Sequence, residues 1–379
     1  MRSPRTAFAL FAVAALLCLA GLPSSLAAPV RGVPRDFFGI APQTTLSETD
    51  IEYMRAGRIG TIRVPVSWAS VQASPQGTYE WAGLDQIVGL AAQQRLEVLP
   101  FLYATPRWLS HRPTTLPIAN ARQRQAWTAF LEAAVERYGP GGEFWRVHAP
   151  TGGIGVQYQP QPVIPRPMPI HTWQIWNEAN FFYFTLPVSP PQYARLVKLS
   201  HQAIRRADPR AEIVLSGLFG EPTAKGRRGM PAAEFLDRLY RVPGIKASFD
   251  GIALHPYAID ADDLIEMTEA MRSVARENRD PSAGLYLTEV GWGSQDNFNQ
   301  VAFEQGSRGQ VDQLRRTYRY LISNRHRLNV KQVYWFSWKD VGGSCNFCDS
   351  VGLFRRGARL KPKPAWRVFV GLSGGRARP

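Results

Sequence analysis

The sequence predicts an α/β chain whose body is a single (β/α)8 TIM barrel. Three observations carry that prediction. Short apolar runs alternate with amphipathic helical stretches eight times after an N-terminal leader, within the usual length of such a barrel. Alternation of this kind argues for a parallel sheet flanked by helices. Several of the runs end abruptly in polar side chains. Alternation alone would also suit an open doubly wound sheet, but no GxGxxG follows the first run, which weakens the dinucleotide-binding option and leaves no cofactor expected.

The leader comes first. Arg2 and Arg5 form a positive start, residues 7–22 are apolar, and Ser25-Leu26-Ala27 is a small-x-small cleavage signal. Residues 1–28 are therefore expected to be a signal peptide and residues 29–379 the barrel domain, with the protein secreted. The apolar run is short for a membrane span and no stop-transfer pattern follows. A lipid anchor at Cys18 is disfavoured because bulky Leu17 precedes it.

The elements follow in order. Residues 36–40 read as the first strand, and Ser47 opens a helix carrying Ile51 and Met54 that ends at Gly57. Residues 61–66 and 96–103 are the next two strands, with a helix over 82–94 between them. The third helix has the clearest pattern: Trp127, Phe130, Leu131, Ala134, Val135 and Tyr138 lie on one helical face. Residues 139–169 are rich in Gly and Pro without periodicity and read as one long irregular loop. Strand four covers 172–176. A helix over 191–207, a strand over 211–215, a helix over 232–240 and a strand over 249–254 come next. Then come a helix carrying Leu264, Met267, Met271 and Val274, a strand over 285–288, a helix carrying Leu314, Tyr318 and Leu321, a strand over 332–336, and a last helix over 364–370.

Charge and cysteines narrow the partners. The net charge is +15; loss of the leader's two arginines would leave +13. The cations are mostly scattered arginines without a recognition helix or RNA-binding signature, so nucleic acid is not expected. Attraction to acidic walls or polysaccharides accounts for the charge as well. Cys345 and Cys348 are the two cysteines left after the leader. They are expected to form a tight disulfide, because no second Cys/His pair stands nearby to complete a metal site. No metal is expected, and the sequence leaves the oligomeric state open.

The chemistry lies where strands end. Strand four stops at Asn177, Glu178 and Asn180, and strand seven at Glu289 before Gly-Trp. In a (β/α)8 barrel such ends meet at one face. Arg63, His255, Tyr257 and Asp340 belong to the same set, beside Trp68, Trp108, Trp292, Trp335 and Trp338. Two carboxyl groups across a cavity suit glycoside hydrolysis: one must be protonated to donate and the other ionised to attack. Arg63 and Tyr257 are placed to stabilise charge on Glu289. Glu178, behind Trp176 and beside neutral Asn177, is placed to stay protonated. The tryptophans could stack on sugar rings. Plainer readings stand beside these. His255 is as easily a core histidine, and Arg63 an ion-pair partner for another acid. Trp127, Trp173 and Trp366 read as core, and Asp340 as structural or a subsite contact. Lys225, Arg227 and Arg228 read as a solvated loop, although their position keeps an acidic substrate open.

The motifs together resemble glycoside hydrolase clan A: Trp176-Asn177-Glu178 after strand four, Glu289 after strand seven, Arg63 on strand two, and His255-Pro256-Tyr257 after strand six. The turn from Ala104 to Trp108 and the Tyr334-Trp335 strand are similar to family 39 and its relatives. The resemblance covers all of residues 29–379. It implies a retaining β-glycosidase with Glu178 as acid/base and Glu289 as nucleophile. It also implies that Asn177 contacts a sugar hydroxyl, that Tyr257 and Arg63 orient Glu289, and that Trp335 floors the subsite of the reacting sugar. Ala179 stands where relatives often carry proline, which loosens the turn without removing a reacting group. Two other functions use the same residues, a non-catalytic carbohydrate-binding barrel and a transglycosylase. The sugar, its linkage and endo or exo action are not read from the sequence.

Overall fold

The computed structural model describes residues 32–150, 162–297, 301–343 and 345–379. The leader, with Cys18, lies outside them, as do residues 151–161 of the long loop. The strands are β1 (Phe38–Ile40), β2 (Thr61–Ser67), β3 (Glu97–Tyr103), β4 (Thr172–Ile175), β5 (Glu212–Phe219), β6 (Gly251–His255), β7 (Gly284–Val290) and β8 (Val330–Trp335). All neighbours pair in parallel, and β8 pairs back onto β1 with Gly39 opposite Tyr334, so the sheet is a closed eight-stranded barrel. The helices are α1 (Glu48–Ala56), α2 (Trp68–Val71), α3 (Ala82–Gln93), α4 (Ala121–Tyr138), α5 (Glu143–Val147), α6 (Pro190–Ala207), α7 (Ala232–Tyr240), α8 (Ala261–Glu277), α9 (Gly306–Leu328) and α10 (Pro364–Ser373). Among the described residues, no helix is long and apolar enough to cross a membrane.

Local sequence explains the helix ends. Ser47 and Asp50 form a reciprocal capping box at α1. Asn120, Ser189 and Asp260 cap α4, α6 and α8, and Pro190 occupies the first turn of α6 where its missing N–H costs nothing. The face of α4 predicted from spacing is buried in full. Trp127, Trp173 and Trp366 are in the core, as expected.

Elements differ from the sequence reading in several places, three of which have a clear local reason. Phe37 sits in a single 3-10 turn, so β1 is only three residues long. The stretch after α4 contains the short helix α5, which buries Phe144 and Trp145. β5 runs four residues past its predicted end, through Ser216 and Gly217, which resemble a turn in sequence. Its register with β6 shifts between Val214 and Gly217, a bulge that absorbs them.

Two core layers result. The large one lies between barrel and helices, with Ile62, Leu102, Ile175, Leu254 and Leu287 on outward-facing strand positions. A smaller one fills the barrel axis, with Leu99, Tyr334 and Phe336. This alternation is the ordinary two-residue period of a strand.

Candidate active site

Three breaks in that alternation build the site. Trp173, Ile175 and Trp176 all join the outer core, and Trp176 adopts φ +70°, which turns Asn177 inward. Glu178 has φ +38°, a left-handed conformation unusual for a residue with a β-carbon. On β7, Leu287 and Val290 both belong to the outer core, three positions apart, and the register with β8 shifts between them. That bulge re-aims Glu289 into the barrel mouth. Bulges beside active sites do this in many sheets.

Arg63 on β2 joins these parts. Its guanidinium lies 3.9 Å over the Phe101 ring. Nη1 donates to Glu289 Oε1 at 2.6 Å, Nη2 to Asn177 Oδ1 at 2.6 Å, and Nε to Gln174 Oε1 at 2.7 Å. Gln174 Nε2 donates in turn to the Leu215 carbonyl at 3.0 Å. One buried cation therefore spans β2, β4 and β7. Tyr257 completes the cradle, its hydroxyl donating to Glu289 Oε2 at 2.6 Å. Burial and the charge of Glu289 push the Tyr257 phenol well up, so it stays a donor.

The second glutamate has a different environment. His255 Nδ1 lies 2.9 Å from Glu178 Oε1, and His255 Nε2 lies 3.5 Å from Glu289 Oε1. Burial, and secondarily Arg63, holds the imidazole well below its ordinary range, so it is neutral. Burial and the negative charge of Glu289 raise the Glu178 carboxyl well above the ordinary glutamate value, against an opposing pull from Arg63. Glu289 meets a cation and a phenol; Glu178 meets a neutral ring. Glycine at 217 is required here, because a β-carbon there would lie 2.0 Å from His255 Nε2.

Glu178, His255 and Glu289 each present one potential ligand atom, and these atoms lie within 4.8 Å of one another. A divalent cation at that point would face the buried Arg63 guanidinium, which already neutralises Glu289. The donor set fits a protonated acid beside an ion pair better than a metal. One oxygen of each carboxyl group lies within 4.8 Å of the other, close enough for both to act on one bond.

The structure thus brings Arg63, Asn177, Glu178, His255, Tyr257 and Glu289 together, and sets the tryptophans apart. Trp68 is fully buried between barrel and helices, 5.4 Å from Trp127 and 5.5 Å from Phe130. Trp108 is half-buried at the rim, edge-on to Trp68, with its indole N–H on the Gln72 carbonyl at 3.1 Å. Trp292 and Trp335 are buried behind the sheet, donating to the carbonyls of Ala258 and Val351 at 3.0 and 3.1 Å. Trp338 lies under α1, donating to Asp50 Oδ1 at 2.8 Å and packing on Phe354 and Trp366. Asp340 is a buried ion-pair partner of Lys363 at 2.7 Å. Cys345 and Cys348 are joined in a disulfide.

Other aromatic residues line the mouth instead. Phe336, one residue past β8, faces inward and packs 6.0 Å from Tyr257. Phe347, inside the disulfide loop, is 5.4 Å from Tyr257. Phe219 is 5.9 Å from Tyr257, and half-buried Tyr103 ends β3 beside Arg63. The two-residue strand period would have found Phe336 once the inward position of Tyr334 was known.

A closed (β/α)8 barrel with paired glutamates at the carboxyl ends of β4 and β7 is the class these features define. No family model matches the chain, and no curated protein does either. Solved structures share the fold. One is a family 39 glycoside hydrolase from the gut symbiont Bacteroides cellulosilyticus, with TM-score 0.62, 18% identity and 89% of this chain covered. This chain spans 63% of that neighbour's length. A monomeric β-xylosidase from Caulobacter crescentus gives TM-score 0.60 at 17% identity, covering 91% of this chain and 68% of its own. The GH53 catalytic domain of Ignisphaera aggregans gives TM-score 0.59 at 16% identity, covering 90% and 97%. The fold expected from the strand-end motifs is the fold of these glycoside hydrolase structures.

Proposed function

We propose that the chain is a retaining β-glycosidase that cleaves β-linked oligo- or polysaccharides by double displacement. The observation that carries this reading is the unequal setting of two adjacent glutamates: Glu289 is ion-paired to Arg63, while Glu178 is buried beside His255 with its carboxyl raised above the ordinary range. Glu289 attacks the anomeric carbon while Glu178 gives its proton to the departing oxygen. The glycosidic C–O bond breaks and a glycosyl ester forms on Glu289. Esterification removes the charge of Glu289, one of the two causes that raise Glu178. Glu178 is then a better base, takes a proton from water, and lets that water cleave the ester. Arg63 occupies the Asn177 carbonyl oxygen, which leaves the amide nitrogen to donate to a sugar hydroxyl. Named for their activities, the family 39 and β-xylosidase neighbours support the same class.

Glu289→Gln and Glu178→Gln should each remove most turnover of a β-glycan, and azide should rescue Glu178→Ala with a retained glycosyl azide. An inverted product by NMR would sink the retaining mechanism. Binding without turnover across β-linked glycans would favour a non-catalytic barrel, and transfer to added sugar acceptors a transglycosylase. Export is part of the proposal, resting on the leader pattern and the disulfide. N-terminal sequencing of exported protein should start after Ala27 or Ala28.

A further inference from the structure

Past Glu178 the chain turns at once, with the Phe181 N–H on the Glu178 carbonyl at 2.9 Å, into four consecutive aromatics, Phe181 to Phe184. They continue a line of rings that begins at the centre. Tyr257, which holds Glu289, lies 5.9 Å from Phe219, and Phe219 stacks on Phe181 at 5.0 Å. Phe181 meets Phe182 at 5.1 Å, and Phe182 stacks on Tyr183 at 4.3 Å. Tyr183 is 66% exposed, the most exposed large apolar side chain among the described residues. Arg228 closes the line, its guanidinium 4.0 Å over Phe182.

The loop after β4 and the loop after β5 form one frame. Phe182 N–H donates to the Arg228 carbonyl at 2.9 Å, Val188 N–H to Arg227 at 2.9 Å, and Met230 N–H to Asn180 at 3.1 Å. The Asn180 amide donates to both the Met230 and Phe219 carbonyls at 2.7 Å. The rings and cations are therefore fixed relative to each other and to Glu178. Lys225, Arg227 and Arg228 are exposed, and none of them makes an ion pair among the described residues. Arg107 and Arg112, also exposed, lie on the loop after β3, which is tied to this frame by the Leu186 N–H on the Thr114 carbonyl at 3.0 Å. Against these five cations the two loops after β3 and β5 carry one acid, Glu221.

A general acid stands beside the leaving oxygen, so the residues next to Glu178 face the departing part of the substrate. We propose that the platform of Phe182, Tyr183 and Arg228 is the leaving-group subsite for an acidic sugar, the ring of a uronate lying on the aromatics and its carboxylate meeting Arg228. The inference rests on Glu178 being the acid/base. Arginine over an aromatic ring keeps outward N–H donors in the fork geometry a carboxylate accepts. A neutral sugar would gain the stacking and leave the cations unused.

The test is calorimetric titration of the full chain at low salt with a β-1,4-linked glucuronan tetrasaccharide and with cellotetraose, its carboxyl-reduced counterpart. The acidic sugar should bind about tenfold tighter or better. Arg228→Gln should bring the two affinities together, and Tyr183→Ala should weaken both alike. A thermal melt checks that each variant folds. Equal affinities in the unaltered protein, no binding of either sugar, or a preference that survives Arg228→Gln would overturn the inference. A charge-dependent preference without hydrolysis of any β-glycan would sustain a uronate-binding platform but sink the glycosidase reading and, with it, the leaving-group role.

Discussion

Gly217→Ala tests how the proposed acid/base, Glu178, is held without touching a reacting group. The new β-carbon would stand 2.0, 2.4 and 2.7 Å from His255 Nε2, Cδ2 and Cε1, where ordinary contact begins near 3.4 Å. His255 is fully buried, so its ring must retreat by roughly 1 Å or more. Nδ1 would then leave Glu178 Oε1, now 2.9 Å away. Leaving a buried polar group without its hydrogen-bond partner costs about 1–3 kcal/mol, or roughly 5- to 150-fold in rate. The assay compares kcat/KM on two β-glycosides of one sugar. The dinitrophenyl glycoside leaves without a proton; an alkyl glycoside needs the acid. The alkyl glycoside should lose the full factor and the dinitrophenyl glycoside no more than about threefold. Equal losses on both, with a folded variant, would refute the idea that His255 acts through Glu178.

Other expectations follow from the same contacts. Glu178 is raised above its unfolded value, so between the two values the unfolded chain has lost a proton that the native chain keeps, and stability falls as pH rises. Glu178→Gln should therefore gain thermal stability over the parent as pH climbs from about 4.5; a pH-independent difference would contradict this. Asp50 accepts from Ser47 and Trp338 and pairs with buried Lys339 at 2.7 Å, so Asp50→Asn should cost about 3 kcal/mol in urea unfolding. A loss under 1 kcal/mol would show the pair to be dispensable. Phe336→Ala should lower kcat/KM about tenfold by opening the mouth beside Tyr257, whereas Trp335→Phe should lower the melting temperature and leave KM alone.

Much of the fold was legible because its signals are local. Strand runs, the face of α4 and the cap at Ser47 depend on neighbours in sequence. The polar members of the site were legible for a related reason: Asn177, Glu178 and Glu289 are out of place at the ends of apolar strands unless a cleft opens there. The aromatic members were not. A tryptophan beside a strand end is equally at home on either face of the sheet. The facing of Trp335 and Phe336 is decided by pleat phase, and a single residue reverses it. Nor could spacing reveal the bulges in β5 and β7, which depend on pairing with β6 and β8. Phe181 to Phe184 carry no periodic signal of their own, because their partners, Phe219 and Arg228, lie about 40 residues downstream.

Arg63 and Glu178 stand in the same cleft with opposite effects on the scaffold. Arg63, on β2, bonds partners on and after β4 and on β7, so a chain without it loses part of its framework. Glu178 is buried, with burial and Glu289 raising its carboxyl well above the ordinary range, and sits on left-handed backbone, so a chain without it sheds a burden. Under relaxed selection the two positions would diverge at different speeds. If the proposed catalysis were lost in a descendant of this barrel, that descendant should retain the arginine and replace the acid, a fossil order of loss readable in any such lineage.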